Sequence, residues 1–298
     1  MSLDPQFVPI VERFASMPAL EDIPIELVRQ APKPINENPT AVDSVVNRTI
    51  PGPAGDINVR IYRSGQKGPL VVFFHGGGFI VGDLESHDEV ARVLTAQLKC
   101  TTVAVDYRLA PEHPFPAAPD DCFAALKWAV ANATELGADA SRAFVVGDSA
   151  GGNLAAVTAR RARDAGGPAL KGQVLIYPVT DFTTEKGPGP DGKYYVINPK
   201  SSAYFHKCYL VGDENKTKQD ASPALAKDLS KLPPALVIVA EYDPLLKDGE
   251  TYAAKLKAAG VDATLSQYNG APHGFVSFPT PMGLEALKQC ADWMRAHA

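Results

Sequence analysis

Ser149 stands in Gly147-Asp148-Ser149-Ala150-Gly151, directly after the apolar run Ala143-Phe144-Val145-Val146 and directly before a helical stretch, Ala150 to Arg163. A serine hydroxyl attacks a carbonyl only if a base takes its proton and the surroundings accept negative charge. A strand that turns straight into a helix through Gly-x-Ser-x-Gly supplies the second condition. So tight a turn strains the serine backbone and projects Oγ into a cleft. The free N–H groups and dipole of the helix start favour the developing charge. Side chains at positions 147 and 151 would collide with neighbouring backbone. The bland alternative, a glycine turn that binds phosphate or only packs, fits the strand–turn–helix context poorly.

A second glycine run, His75-Gly76-Gly77-Gly78-Phe79, follows the apolar strand Leu70 to Phe74. Acyl transfer passes through a tetrahedral oxyanion that needs two or three fixed N–H donors, and losing one typically costs ~10²–10³ in rate. Consecutive glycines let backbone amides approach that oxygen, so the donors are assigned to Gly76, Gly77 and Ala150. His75 sits at the strand end and is expected to hold the loop by hydrogen bonding rather than to act as a base.

The base needs a carboxylate to fix its tautomer. An acid must follow a later core strand, and Ala235 to Ala240 is followed by Glu241-Tyr242-Asp243-Pro244-Leu245. Asp243 is preferred because the fixed φ of Pro244 begins a rigid turn; Glu241 is its competitor, and Asp248 reads as a helix-start or supporting group. Of the six histidines, His206 precedes the acid and His297 lies at a frayed end. His273, in Gly270-Ala271-Pro272-His273-Gly274-Phe275, is on a Gly/Pro-rich loop beyond a strand-like stretch, the usual place for a reactive side chain on a rigid scaffold. It is taken as the base.

Elements that could bring these loops together are legible in the apolar patterning. Residues 70–74, 101–105, 143–146, 174–177 and 235–240 are continuous apolar runs, expected of strands covered on both faces. Helical stretches are predicted over 86–98, 120–135, 150–163, 247–259 and 283–297, with Ser86 and Glu89 as a capping box. Residues 41–50 and 56–62 alternate about a Pro-Gly-Pro-Ala-Gly turn and predict a hairpin with one face to the core. Adding the strand-like 263–268 gives an α/β fold: a mostly parallel eight-stranded sheet with helices on both faces. Residues 179–228 break the alternation with glycines, prolines and aromatics, and so long an excursion between core strands is usually functional. With residues 1–40, which hold short amphipathic helices and the connections at Pro18, Pro24, Pro32, Pro34 and Pro39, it is expected to form a helical cap on a single domain spanning 1–298.

Composition narrows the function. The net charge of −5, with no basic block, argues against nucleic acid as a partner. No apolar run approaches the ~18 residues of a membrane span. The N-terminus lacks the profile of a signal peptide, so a cytoplasmic protein is expected. Cys100, Cys122, Cys208 and Cys290 lie too far apart for a metal motif and are expected to be reduced. No metal-ligand spacing or phosphate loop is present, so the expected chemistry needs no cofactor and no metal.

His75-Gly76-Gly77-Gly78-Phe79, Asp106 to Glu112, Gly147 to Gly152, Asp243-Pro244-Leu245 and His273-Gly274-Phe275 together resemble the hormone-sensitive-lipase-like branch of the α/β-hydrolases. The likeness runs from about residue 45 to the C-terminus. It implies a carboxylesterase acting on small-molecule esters of short to medium chain, a cap built from N-terminal helices and a later insertion, and a chain that could dimerise. The resemblance places the triad and oxyanion residues at the positions already chosen. One departure is Lys247-Asp248-Gly249, where relatives usually read Arg-Asp-Glu. The segment 106–112 is expected to be structural, with Arg108 pairing locally. Two other readings share these motifs. An amidase or lactonase could use the same triad, and a ligand-binding receptor on this scaffold typically lacks the base that His273 supplies.

Overall fold

Apolar residues that alternate along a strand can fill two separate cores, and the central strands here do so. In β3 (Gly68–Phe74), Leu70, Val72 and Phe74 face one helical layer while Val71 and Phe73 face the other. The same division recurs in β4 (Thr101–Asp106), β5 (Ala138–Asp148), β6 (Gly172–Ile176) and β7 (Ala235–Tyr242). Each large side chain fully buried this way contributes about 1.5–3 kcal/mol. The computed structural model describes residues 2–31, 36–65 and 67–298; Pro32 and Pro34 lie outside the described residues.

The sheet is an eight-stranded α/β sheet, as expected, in the order β1-β2-β4-β3-β5-β6-β7-β8. The hairpin β1 (Ser44–Gly52) and β2 (Gly55–Arg63) joins antiparallel, and every pairing from β4 to β8 (Ala263–Pro272) is parallel. Helices α3 (Asp88–Leu98) and α8 (Pro281–His297) cover one face; α4 (Ala117–Ala131), α5 (Ala150–Asp164) and α7 (Leu246–Ala258) cover the other.

Two expectations need correction. Strand β1 does not present a face to the core: only Ile50 is buried, and Val46 is 53% exposed, because β1 is the edge strand. Ser86 and Glu89 do not form a capping box. Ser86 Oγ closes a turn by accepting from the Asp83 amide, Glu89 accepts from the Thr40 and Asn36 side chains and the Thr40 amide, and α3 begins at Asp88 with no side-chain cap.

The N-terminal segment carries α1 (Val8–Ser16) and α2 (Ile25–Gln30). Arg29 of α2 donates to the carbonyls of Ile80 and Ala110 and to Glu112, beside the carboxyl end of β3. Between β6 and β7 the chain makes its excursion, which holds α6 (Pro199–Tyr209), capped reciprocally by Asn198 and Ser201. Phe205 of α6 packs directly on Gly78, where an added Cβ would come within 2.5 Å of the ring. Tyr209 stacks on Phe79 with centroids 3.7 Å apart.

Both ends of the excursion are fastened to the sheet layers. Asn153, one turn into α5, donates through Nδ2 to Val179 O at 2.8 Å and Ala221 O at 2.7 Å. Asp248 in the first turn of α7 accepts from the Thr180 and Asp181 amides and pairs with buried Lys186. Replacing Asn153 by alanine leaves two buried carbonyls unpaired, which costs about 1–3 kcal/mol. The urea midpoint of Asn153→Ala should fall by the corresponding amount; an unchanged midpoint would show that the clamp carries no stability.

Candidate active site

Backbone segments approach very closely where β5 becomes α5. A Cβ on Gly151 would stand 1.9 Å from Phe74 O, and one on Gly147 would stand 2.2 Å from Gly151 O, so only glycine fits either place. Ser149, pinched between them, has φ +54° and ψ −116°, a strained conformation for a residue with a side chain. Its amide donates to Ile176 O at 2.8 Å, which fastens the turn to β6.

The end of β7 supplies Asp243, whose Oδ1 accepts the Leu245 amide at 2.8 Å in the turn begun by Pro244. Its Oδ2 lies 2.7 Å from His273 Nδ1, and His273 Nε2 lies 2.9 Å from Ser149 Oγ. All three side chains are buried. The imidazole of His273 therefore joins Asp243, 30 positions before it, to Ser149, 124 positions before it. With Nδ1–H donated to the carboxylate, Nε2 is free to accept the serine proton.

The other candidates have different places. Glu241 accepts the Gly270 amide at 2.7 Å and so fastens the end of β8 just before His273 rather than touching the imidazole. His75 Nδ1 is 2.7 Å from Gly76 O, and its ring stacks on Tyr107. His206 sits on α6 against Phe182; burial, with Lys186 and Lys216 nearby, pushes its imidazole down to about 4. His297, expected to be frayed, is the last helical residue and stacks on Trp293. Arg108 makes a two-pronged bond to Asp121 of α4 at 2.8 Å on each side.

Gly76 requires a correction. Its amide donates to Asp148 Oδ1 at 2.9 Å, so it is not available to an oxyanion. The next two glycines complete a turn in which the Ile80 and Val81 amides return to Gly77 O, and their own N–H groups have no acceptor among the described residues. Asp148, which local sequence pattern does not single out, ties the end of β5 to the glycine turn; a carboxylate closing the buried apolar run 143–147 is the available signal. His87 Nε2 is 3.4 Å from the same oxygen. Burial opposes ionisation of Asp148, but His87, together with His75 and His273, outweighs it, and the carboxyl lies below its ordinary range.

A family model of the α/β-hydrolase fold matches residues 71–277. The chain belongs to the α/β-hydrolase family. This α/β-hydrolase is 38% identical to the esterase LipI of Mycobacterium tuberculosis over 97% of its own length and 93% of that relative. It is 44% identical to the carboxylic ester hydrolase LipN of the same organism over 78% of its length, but spans 64% of that relative. A hyperthermophilic esterase from the archaeon Pyrobaculum calidifontis superposes with a TM-score of 0.90 at 41% identity, with 99% of each chain covered. An ester-hydrolase from the metagenome of Lake Arreo, in complex with a derivative of bipyridine phosphonate, superposes with a TM-score of 0.90 at 36% identity, with 99% of each chain covered. These relatives place the hydrolase in the hormone-sensitive-lipase-like branch.

Among the described residues, no group of three or more His, Cys, Asp or Glu could hold a metal, and no helix is long and apolar enough to cross a membrane. The four cysteines are free.

Removing the Asp148 carboxylate frees the Gly76 amide and loosens the glycine turn. A displacement of about 1 Å costs on the order of 10²-fold in rate, so Asp148→Ala should lower kcat by about that much with little change in KM. Because its folded-state carboxyl is held low, Asp148 contributes stability above about pH 4 and loses that contribution as the pH falls further. The Tm difference between wild type and Asp148→Ala should therefore shrink below pH 4; a difference independent of pH would contradict this role.

Proposed function

We propose that the protein hydrolyses carboxylic esters through an acyl-enzyme, with Ser149 as nucleophile, His273 as base and Asp243 as its orienting acid. The observation that carries this reading is the continuous pair of hydrogen bonds from Asp243 through His273 to a serine in strained backbone at a helix start. Ser149 Oγ attacks the carbonyl carbon while Nε2 of His273 takes its proton. The amides of Gly77, Gly78 and Ala150 receive the oxyanion. The third donor is thereby moved from Gly76, which Asp148 occupies, to Gly78. Collapse of the intermediate breaks the ester bond, and His273 passes the proton to the departing alcohol. Water then attacks the acyl-enzyme by the same route and releases the acid and Ser149.

The preferred esters have short to medium acyl chains. Support comes from the aromatic roof above the glycine turn: Phe205 lies on Gly78, with Phe79, Phe182 and Tyr209 behind it. The described parts of residues 1–40, together with residues 179–228, form the cap that carries Phe182, Phe205 and Tyr209, over one hydrolase domain spanning the chain. The hydrogen bonds of Arg29 and the clamps at Asn153 and Asp248 support that division.

The test is a panel of p-nitrophenyl esters of increasing acyl length. Turnover should be highest on the shorter members and fall on long chains. Loss of a nucleophile or base typically costs on the order of 10⁶ in kcat, and loss of the orienting acid about 10⁴. Ser149→Ala and His273→Ala should show the larger deficit and Asp243→Asn the smaller. Full turnover by Ser149→Ala would overturn the reading.

A further inference from the structure

Tyr177 is the residue at which the chain leaves β6 for the excursion, and three observations meet there. Its φ is +34°, a left-handed value that residues bearing a Cβ rarely adopt. Its backbone is fastened on both sides: its amide donates to Ile238 O at 2.6 Å, and the carbonyl of its neighbour Ile176 takes the Ser149 amide. Its ring is fully buried between two residues of the base loop. The centroid lies 4.8 Å from the His273 imidazole, with the planes at 57°, and 5.7 Å from Phe275 in an edge-on contact.

We propose that Tyr177 is a positioning residue for the base, its ring forming the wall that keeps His273 Nε2 on Ser149 while Nδ1 stays on Asp243. The proposal rests on the triad reading above. Two hydrogen bonds fix the edges of an imidazole but not the space beside its faces. Without the Tyr177 ring, the imidazole could tilt away from the serine, or water could enter beside the carboxylate. A π system 4.8 Å from the imidazole also favours the imidazolium that exists only after the serine proton arrives, so its contribution is larger in the transition state than in the resting enzyme. A tyrosine that merely filled the core would have no need of a strained backbone, and such strain concentrates where side chains must be held for chemistry.

The experiment compares Tyr177→Phe, Tyr177→Leu and Tyr177→Gly with Ser149→Ala on p-nitrophenyl butyrate, at a temperature where circular dichroism shows each protein folded. Phenylalanine keeps the ring and should hold kcat within about threefold of wild type, while leucine should lower kcat by roughly 10²-fold with KM nearly unchanged. Glycine accepts φ +34° without strain but has no ring, and should fall as far as leucine. If leucine or glycine does not fold, Tyr177→Met, which fills the space without a ring, is read in its place. A ring-free variant that keeps wild-type kcat overturns the proposal, and so does a deficit confined to KM. An active Ser149→Ala would instead remove the triad reading, so the two failures are distinguishable.

Discussion

Between the end of β3 and the start of α5 there is no room for a methyl group. Phe74 O, Gly147 and Gly151 crowd one another so closely that a Cβ at either glycine would overlap backbone atoms. This approach turns Ser149 outward at φ +54° and sets the glycine turn after β3 beside the start of α5. Asp148 strengthens the arrangement from beneath, because its carboxylate binds the first amide of that turn. Ser149 and the glycine turn are thus held by the same backbone contact. A loosened glycine at 151 would disturb both at once.

The parts of the excursion nearest Ser149 and Asp243 are fastened to the helices that follow those two residues. Asn153 belongs to the helix that begins at Ser149, and Asp248 belongs to the helix that follows Asp243. Their bonds to residues 179–181 and 221 fix where the chain departs and returns. Aromatic packing of Phe205 and Tyr209 then lays α6 over the glycine turn. Burial raises the Asp248 carboxyl above its usual range, and Lys186 and two backbone amides compensate it. Such a pair is costly to break from one side, which suits a fixed anchor.

Most of the fold was legible because each central strand contains a short buried apolar run, a pattern that reads the same in any surrounding. The position of Ser149 was legible from two glycines at fixed spacing, and Asp243 from the proline that follows it. What local pattern could not supply was the partner of each polar group. Gly76, Gly77 and Gly78 look equivalent in sequence; only the tertiary placement of Asp148 distinguishes the first from the other two. Ser86 and Glu89 had the spacing of a cap, but Asp83 and Thr40, distant or differently turned, offered them better partners. Strand β1 alternates like a half-buried strand, yet its position at the sheet edge leaves that face largely uncovered.

The central claim is that one serine, activated by one imidazole, reacts covalently with the acyl group. Its most direct test is peptide mapping by mass spectrometry after treatment with an alkyl phosphonate ester that mimics the tetrahedral intermediate. The account predicts a single adduct on the peptide containing Ser149, and its loss in His273→Ala. An adduct on another residue, or labelling of Ser149 that proceeds equally fast without the imidazole, would contradict it.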